Sequence, residues 1–311
     1  MPIVLQETLR GLLYAPFYAA LSLGAYEQEG VEIRFTSAPT PADSARRLMT
    51  GEVDVTWGGP MRVMLTREQD PSADLVCFGE AVTRDPFFLV GRRPNPGFAL
   101  RDLLDVTLAS TSEVPTPWLC LQEDLRRAGI DPEALRRVTG RGMAENSAAL
   151  ARGEIDVVQV FQPFVEELLE SGAGHIWYAA AGRGHTAYTC FYARRGTLER
   201  RREELRRMVR ALHRTLGWIE AASGAAIARA VQAYFPQVPL ARLAAALARN
   251  KAVGIWGKDA RLPRSGYDRL AASLVSGGLI RSAPPFEETV DNGFAREAIA
   301  AKLPPLAAAT G

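Results

Sequence analysis

An eight-residue pattern occurs twice in this chain and constrains its fold more than any other feature. The first copy is Leu48-Met49-Thr50-Gly51-Glu52-Val53-Asp54-Val55 and the second is Leu150-Ala151-Arg152-Gly153-Glu154-Ile155-Asp156-Val157, with the glycines 153 − 51 = 102 residues apart. In each copy a helical pattern ends at a glycine, the residue that takes the left-handed conformation closing a helix. A short apolar run follows and reads as a strand. A proline then opens a new helix, Pro60 before Met61–Thr66 and Pro163 before Phe164–Glu170, where its missing N–H costs nothing. At the same offset Ile3-Val4-Leu5 faces Asp105-Val106-Thr107 and Ala42 faces Ala144, while Pro16-Phe17 lies near the register of Pro117-Trp118. A period near one hundred is too long for a solenoid unit and suits two βαβαβ halves, each with its own sheet.

The 311 residues allow one large or two medium domains with a substantial core. A hydrophobic fraction of 47% with 23% charged residues is ordinary for a globular protein, and a net charge of +2 gives no reason to expect nucleic acid as a partner. Cys77, Cys120 and Cys190 form no CxxC pair. They read as apolar filler, which argues against a disulfide framework and a zinc site. No run of eighteen apolar residues is present, and after Met1-Pro2 the chain enters a strand at once, so the expectation from the residues alone is a cytosolic protein or one whose leader has been removed.

In chain order, the strands expected in the first half are Ile3–Gln6, Val31–Phe35, the repeat strand ending at Trp57, and Asp74–Phe78. Leu12–Leu23 carries Tyr14, Phe17, Tyr18 and Leu21 at helical spacing, and Pro41 is placed to begin a helix over 42–50. Asp85–Gly91 is a further strand that runs into the breaker segment Arg92–Gly97. The second half repeats the plan with Val106–Ala109, helix Trp118–Ala128, Leu135–Thr139, helix Ala144–Ala151 and Ile155–Phe161. Thr189–Arg195 resembles the Phe87–Arg93 segment, and the two read as crossovers between lobes. From Leu198 the pattern is helical, with helices expected over Ala225–Tyr234, Leu240–Asn250 and Tyr267–Ser276, and Leu303–Gly311 a frayed end. Glutamates interleaved with the arginines of 200–214 mark a solvated helix face.

Tyr14-Ala15-Pro16-Phe17-Tyr18-Ala19-Ala20, the stretch Gly24–Ile33, the Leu-x-x-Gly-Glu-x-Asp motif, Gly129-Ile130-Asp131-Pro132 and the tail Gly278-Leu279-Ile280 … Phe286 … Val290–Phe294 together resemble a known group. It is the nitrate/sulfonate/taurine-type solute-binding family of ABC importers, which includes binding proteins and synthases for the thiamine pyrimidine precursor. The resemblance covers nearly the whole chain. It implies a type II periplasmic-binding-protein-like α/β clamp, with two doubly wound lobes, two crossover strands, a helical C-terminal segment and a ligand in the cleft. It also implies importer membrane subunits as partners and a place outside the cytoplasmic membrane. The iron-associated cysteine-rich motif and the histidine-and-lysine site of the eukaryotic pyrimidine synthases are not recognisable. On this reading lobe one comprises 1–88 and 192–311 and lobe two 89–191, and the protein is a monomer.

Ligands of open α/β sheets bind beyond the carboxyl ends of the strands. Trp57-Gly58-Gly59 sits there, with an indole face for stacking and glycines that admit a ligand close to the backbone; the alternative is a core tryptophan beside a tight turn. Phe161-Gln162 is its counterpart in the second half, with Tyr14 and Tyr188 as side walls. Arg62 pairs with an acidic ligand group or is simply exposed. Thr40 ends the second strand. Ser112, Glu113 and Thr116 precede a helix, where Glu113 either caps it or faces the ligand. His185 lies near the second crossover. Phe17 and Trp118 read as packing, and Asp54 and Asp156 as structural. Gly182–Ala187 fits a dinucleotide fingerprint formally but leads into a strand, so it is rejected. No P-loop, HExxH or G-x-S-x-G is present. The expected function is a solute receptor without cofactor, metal or catalytic residues, binding a small, flat organic ligand of the heteroaromatic or aromatic-acid type rather than nitrate or a bare sulfonate. The alternatives are an enzyme on the same clamp, of the pyrimidine-precursor synthase or aromatic-acid decarboxylase type, and a cytosolic ligand sensor.

Overall fold

The two copies of the repeat end their helices in the same way. Gly51 and Gly153 have φ of 75° and 78°, and each donates to the carbonyl three residues back, Leu48 and Leu150. The next residues, Glu52 and Glu154, donate to Arg47 and Ala149, completing the same closing motif twice. The aspartates that follow pin strands together. Asp54 Oδ2 accepts the Val4 N–H at 2.9 Å, and Asp156 Oδ2 accepts the Thr107 N–H at 3.0 Å. Each aspartate therefore fastens its own strand to the first strand of its half.

A computed structural model describes residues 1–40 and 42–306. Pro41, expected to begin a helix, and residues 307–311 of the expected frayed end lie outside the described residues. The first part of the chain runs β1 (Ile3–Glu7), α1 (Ala15–Ser22), α2 (Ala25–Gln28), β2 (Ile33–Ser37), α3 (Asp43–Met49), β3 (Val55–Gly58), α4 (Pro60–Gln69) and β4 (Leu75–Val82). Then follow β5 (Phe88–Gly91), β6 (Thr107–Ala109), α5 (Thr116–Arg127), β7 (Arg136–Val138), α6 (Met143–Ala151), β8 (Val157–Val160), α7 (Phe164–Glu170) and β9 (His175–Ala179). The chain returns through β10 (Thr189–Arg194) into α8 (Arg195–Arg200), α9 (Arg202–Ala221), α10 (Gly224–Val231), α11 (Leu240–Ala252), α12 (Arg264–Ser276), α13 (Phe286–Thr289) and α14 (Gly293–Ala300).

The strands form two five-stranded sheets, ordered β2-β1-β3-β10-β4 and β7-β6-β8-β5-β9. The plan is the same in both: three parallel strands, then an antiparallel strand beside the repeat strand. That antiparallel strand is β10 in the first sheet and β5 in the second. The chain passes between sheets over 83–87 and returns over 180–188, where Ala180, Thr186 and Tyr188 donate to the carbonyls of Phe87, Thr83 and Val82. Thr189, Cys190 and Phe191, allotted to the second lobe in the sequence, pair with β3 and β4 of the first sheet.

Other differences have local causes. Strand β2 begins at Ile33 rather than Val31, because Gly30 closes α2 and the Val31 N–H is taken by the Tyr26 carbonyl. Strand β9 and helix α14 are not among the elements expected from the sequence; β9 pairs with β5, and α14 packs on α9. One apolar cluster joins α1, α9 and α10 to both sheets, and a second fills the opposite face of the first sheet beneath α3, α4 and α12. No helix among the described residues is long and apolar enough to cross a membrane.

Candidate ligand cleft

A cavity of about 60 Å³ lies where the carboxyl ends of the parallel strands from both sheets meet. From beyond β1 come Thr8, Leu9, Leu13 and Tyr14; from beyond β3 come Gly59, Met61 and Arg62. The second sheet supplies Val114 and Thr116 beyond β6 and Phe161 beyond β8. The crossovers add Phe87, Ala187 and Tyr188, while Tyr192 and Leu270 close the wall.

Three helices begin at this cavity. The N-caps of α1, α4 and α5 are Tyr14, Gly59 and Pro115, and none of these helices has a side-chain cap. Each has a proline in its first turn, and the Ala15 and Arg62 N–H groups donate to the Leu12 and Gly59 carbonyls, so it is the positive ends of the helix dipoles that bias the cavity. Arg62, in the first turn of α4, strengthens it. No carboxylate pairs with its guanidinium among the described residues, whereas many other arginines of the chain are in ion pairs. The hydroxyl of Tyr188 is buried without a partner among the described residues, and the Tyr14 hydroxyl lies 3.5 Å from Thr8 Oγ1. Burial pushes the Tyr14 phenol up to about 12 and that of Tyr188 well above its ordinary value, so both stay protonated and able to donate.

The segment after β1 is held by a buried carboxylate. Glu7, 2% exposed, accepts from Ser37 Oγ at 2.6 Å, from Tyr18 OH at 2.5 Å and from Arg10, whose guanidinium also lies over the rings of Tyr18 and Tyr234. This fixes the turn that carries Thr8 to Tyr14.

The residues singled out in the sequence divide into two groups. Tyr14, Gly59, Arg62, Thr116, Phe161 and Tyr188 are brought together on the cavity wall. Trp57 is not among them. Its ring is fully buried, stacked against Phe17 at 4.9 Å and Phe35 at 5.2 Å, with Tyr18 edge-on. Alternation along β3 sends this side chain into the apolar layer beneath α1, so the expected stacking face for a ligand is filled by the protein itself. Gly58 is needed for packing instead, since a Cβ there would lie 2.7 Å from Thr8 Cγ2.

Thr40 and Glu113 cap helices. Thr40 Oγ1 accepts the Asp43 N–H at the start of α3, and Glu113 Oε1 accepts the Met143 N–H at 2.8 Å at the start of α6. Ser112 is exposed, with its N–H on the Arg141 carbonyl. Gln162 turns away from the cavity to Glu166. His185 borders a separate depression of about 780 Å³ with Arg84 and Trp256. Sequence reasoning missed Thr8, Met61, Phe87, Tyr192 and Leu270 as wall residues. Thr8 and Met61 adjoin strand ends already marked, but nothing local places Leu270 of α12 there.

The family model described as NMT1/THI5 like matches residues 13–224. A Bacillus subtilis (strain 168) protein named as a binding protein, YtlA, is 22% identical over 299 residues, which cover 95% of this chain and 89% of the relative. Among solved structures, the periplasmic aliphatic sulphonate binding protein SsuA from Escherichia coli superposes with a TM-score of 0.73 at 15% identity, covering 91% of this chain and 94% of SsuA. The desulfurization enzyme DszB superposes with a TM-score of 0.68 at 13% identity, covering 97% of this chain and 100% of DszB. With its two mixed sheets, the chain has the two-lobed fold of type II periplasmic binding proteins.

Proposed function

The chain belongs to the NMT1/THI5-like family, and we propose that it is a solute-binding protein of an ABC importer that holds a small organic acid between its lobes. The observation that carries this reading is the unpaired guanidinium of Arg62 in an otherwise apolar, aromatic-rich cavity beside three uncapped helix starts. An acidic group of the ligand would pair with Arg62 and the hydroxyls of Tyr14, Thr116 and Tyr188. Its apolar body would meet Leu13, Met61, Phe87 and Phe161. The binding-protein name of YtlA and the sulphonate-binding name of SsuA agree with this class of ligand.

The segments 83–87 and 180–188 serve as the hinge, and closure around the ligand is the working motion. We place the lobes near the limits read from the sequence, with the sheet crossings as the finer boundaries. Importer membrane subunits would be the partners, met outside the cytoplasmic membrane. An aromatic body is accommodated by Phe161 and the tyrosines rather than by Trp57. DszB puts an enzyme on this fold. The polar side chains of this cavity are, however, those of Thr8, Thr116, three tyrosines and Arg62. That set donates hydrogen bonds and holds an anion, which favours binding over acid–base chemistry.

The test is a melting screen against benzoate, nicotinate, taurine, methanesulfonate and nitrate, followed by calorimetric titration of the best compound. An organic acid should raise the melting temperature by mass action. Arg62→Leu should weaken its binding by about 1.5–3 kcal/mol, the value of a charge-assisted hydrogen bond. Binding equally tight in Arg62→Leu, or binding of nitrate alone, would sink the proposal.

A further inference from the structure

Phe161 enters the cavity from the loop between β8 and α7, and its neighbour Gln162 ties that loop to α7. Gln162 Nε2 donates to Glu166 Oε1 at 3.0 Å, and the Glu166 N–H donates back to Gln162 Oε1 at 3.3 Å. Glu166 is buried and also accepts from Arg249, whose Nε lies 2.5 Å from Oε1. Arg249 belongs to the other lobe: its helix, α11, packs on α10 and on Leu12–Tyr14, which adjoin the first sheet. One face of α7 continues the contact. Arg242, two turns earlier on α11, pairs with Glu167 at 3.2 Å and with Glu170 at 2.8 Å. The facing helices α5 and α12 meet across the lobes without an ion pair among the described residues, through apolar residues including Leu119, Cys120 and Leu274 and a Glu123–Ser276 hydrogen bond.

We propose that Glu166 and Arg249 are a positioning pair, which latches the lobes together and so sets Phe161 in the ligand cavity. Separating the lobes at this contact breaks a short charge-assisted hydrogen bond whose carboxylate is buried while the lobes touch. The Arg242 pairs are more exposed, so salt screens them more and they contribute less. Glu166 thereby links lobe closure to the shape of the wall, through Gln162 and one turn of α7. The inference rests on the reading of this cavity as the ligand site of a clamp.

It is tested without ligand, by single-molecule energy transfer between dyes on Arg46→Cys in α3 and Glu145→Cys in α6. Both positions are exposed, whereas the native cysteines are buried. Arg249→Ala and Glu166→Gln should each lower the closed-to-open ratio by about tenfold or more, the factor lost with one charge-assisted hydrogen bond. The exchange Glu166→Arg with Arg249→Glu should restore much of it, and Arg242→Ala should have a smaller effect that disappears at high salt. Melting curves of all variants confirm that they fold. Two distances in the wild type that none of these substitutions moves would overturn the latch and leave the clamp standing. One invariant distance in the wild type and in every variant would overturn the clamp as well.

Discussion

Replacing Trp57 separates two roles for this residue that the sequence left open. The ring is fully buried and stacks against both Phe17 and Phe35. Truncating such a side chain to alanine costs about 3–5 kcal/mol in lost burial and residual cavity. Stacking on two rings places Trp57→Ala near the upper end of that range. One term opposes it: the indole N–H has no partner among the described residues, and an orphaned buried donor costs about 1–3 kcal/mol that the substitution relieves. The net loss is about 3 kcal/mol, or roughly 6–12 °C in melting temperature at the 2–4 °C per kcal/mol of larger domains.

Trp57→Phe keeps a stacked ring and removes the orphan donor, so it should melt within about 3 °C of wild type by the same conversion. Acrylamide quenching supplies an independent readout, because a sealed indole is not quenched and its removal leaves the quenchable emission unchanged. If Trp57→Ala melts with the wild type and also removes a quenchable component, the indole faces the cleft and the reasoning fails.

Two further outcomes test the frame around the site. Gly51→Ala and Gly153→Ala should each cost about 1 kcal/mol by urea denaturation, a purely conformational penalty at positive φ; no heavy atom lies within 4 Å of the Cβ position at Gly51. Two unchanged midpoints would refute the shared helix-closing role. Glu80 is buried at 1% exposure, and burial pushes its carboxyl well above the ordinary 4.5, against a smaller downward pull from the Thr83 hydroxyl. The folded state thus keeps a proton that the unfolded state releases above about pH 4.5, so this group's stability contribution is full below that pH and is lost as pH rises toward the folded value. Glu80→Gln should therefore gain stability over wild type between melts at pH 4 and pH 8, and an equal offset at both would exclude the linkage.

The parts of the fold legible in the sequence are those with local causes. The glycine stops, the prolines opening α4 and α7 and the alternation in β2 depend on residues near in the chain. They placed most strands, the repeated plan and the strand ends that border the cavity. Strand β9 was not legible, because its five half-buried residues become a strand only by pairing with β5. Glu113 had two local readings, and the choice needed α6, whose Met143 N–H it accepts.

The sequence by itself determined the two-half architecture, through chain-local backbone preferences that repeat 102 residues apart. It also singled out Tyr14, Gly59, Arg62, Thr116, Phe161 and Tyr188, which share one cavity wall because the strand ends of an α/β sheet converge whatever the side chains are. The direction of each side chain was decided only in three dimensions. Trp57 sits beside the cleft in sequence, but Phe17 and Phe35 stack on it from α1 and β2, and burying that aromatic area outweighs leaving it for a ligand. Gln162 adjoins a wall residue, but Glu166 and the distant Arg249 draw it away. Such choices are made by neighbours far apart in the chain, which pattern and propensity do not register.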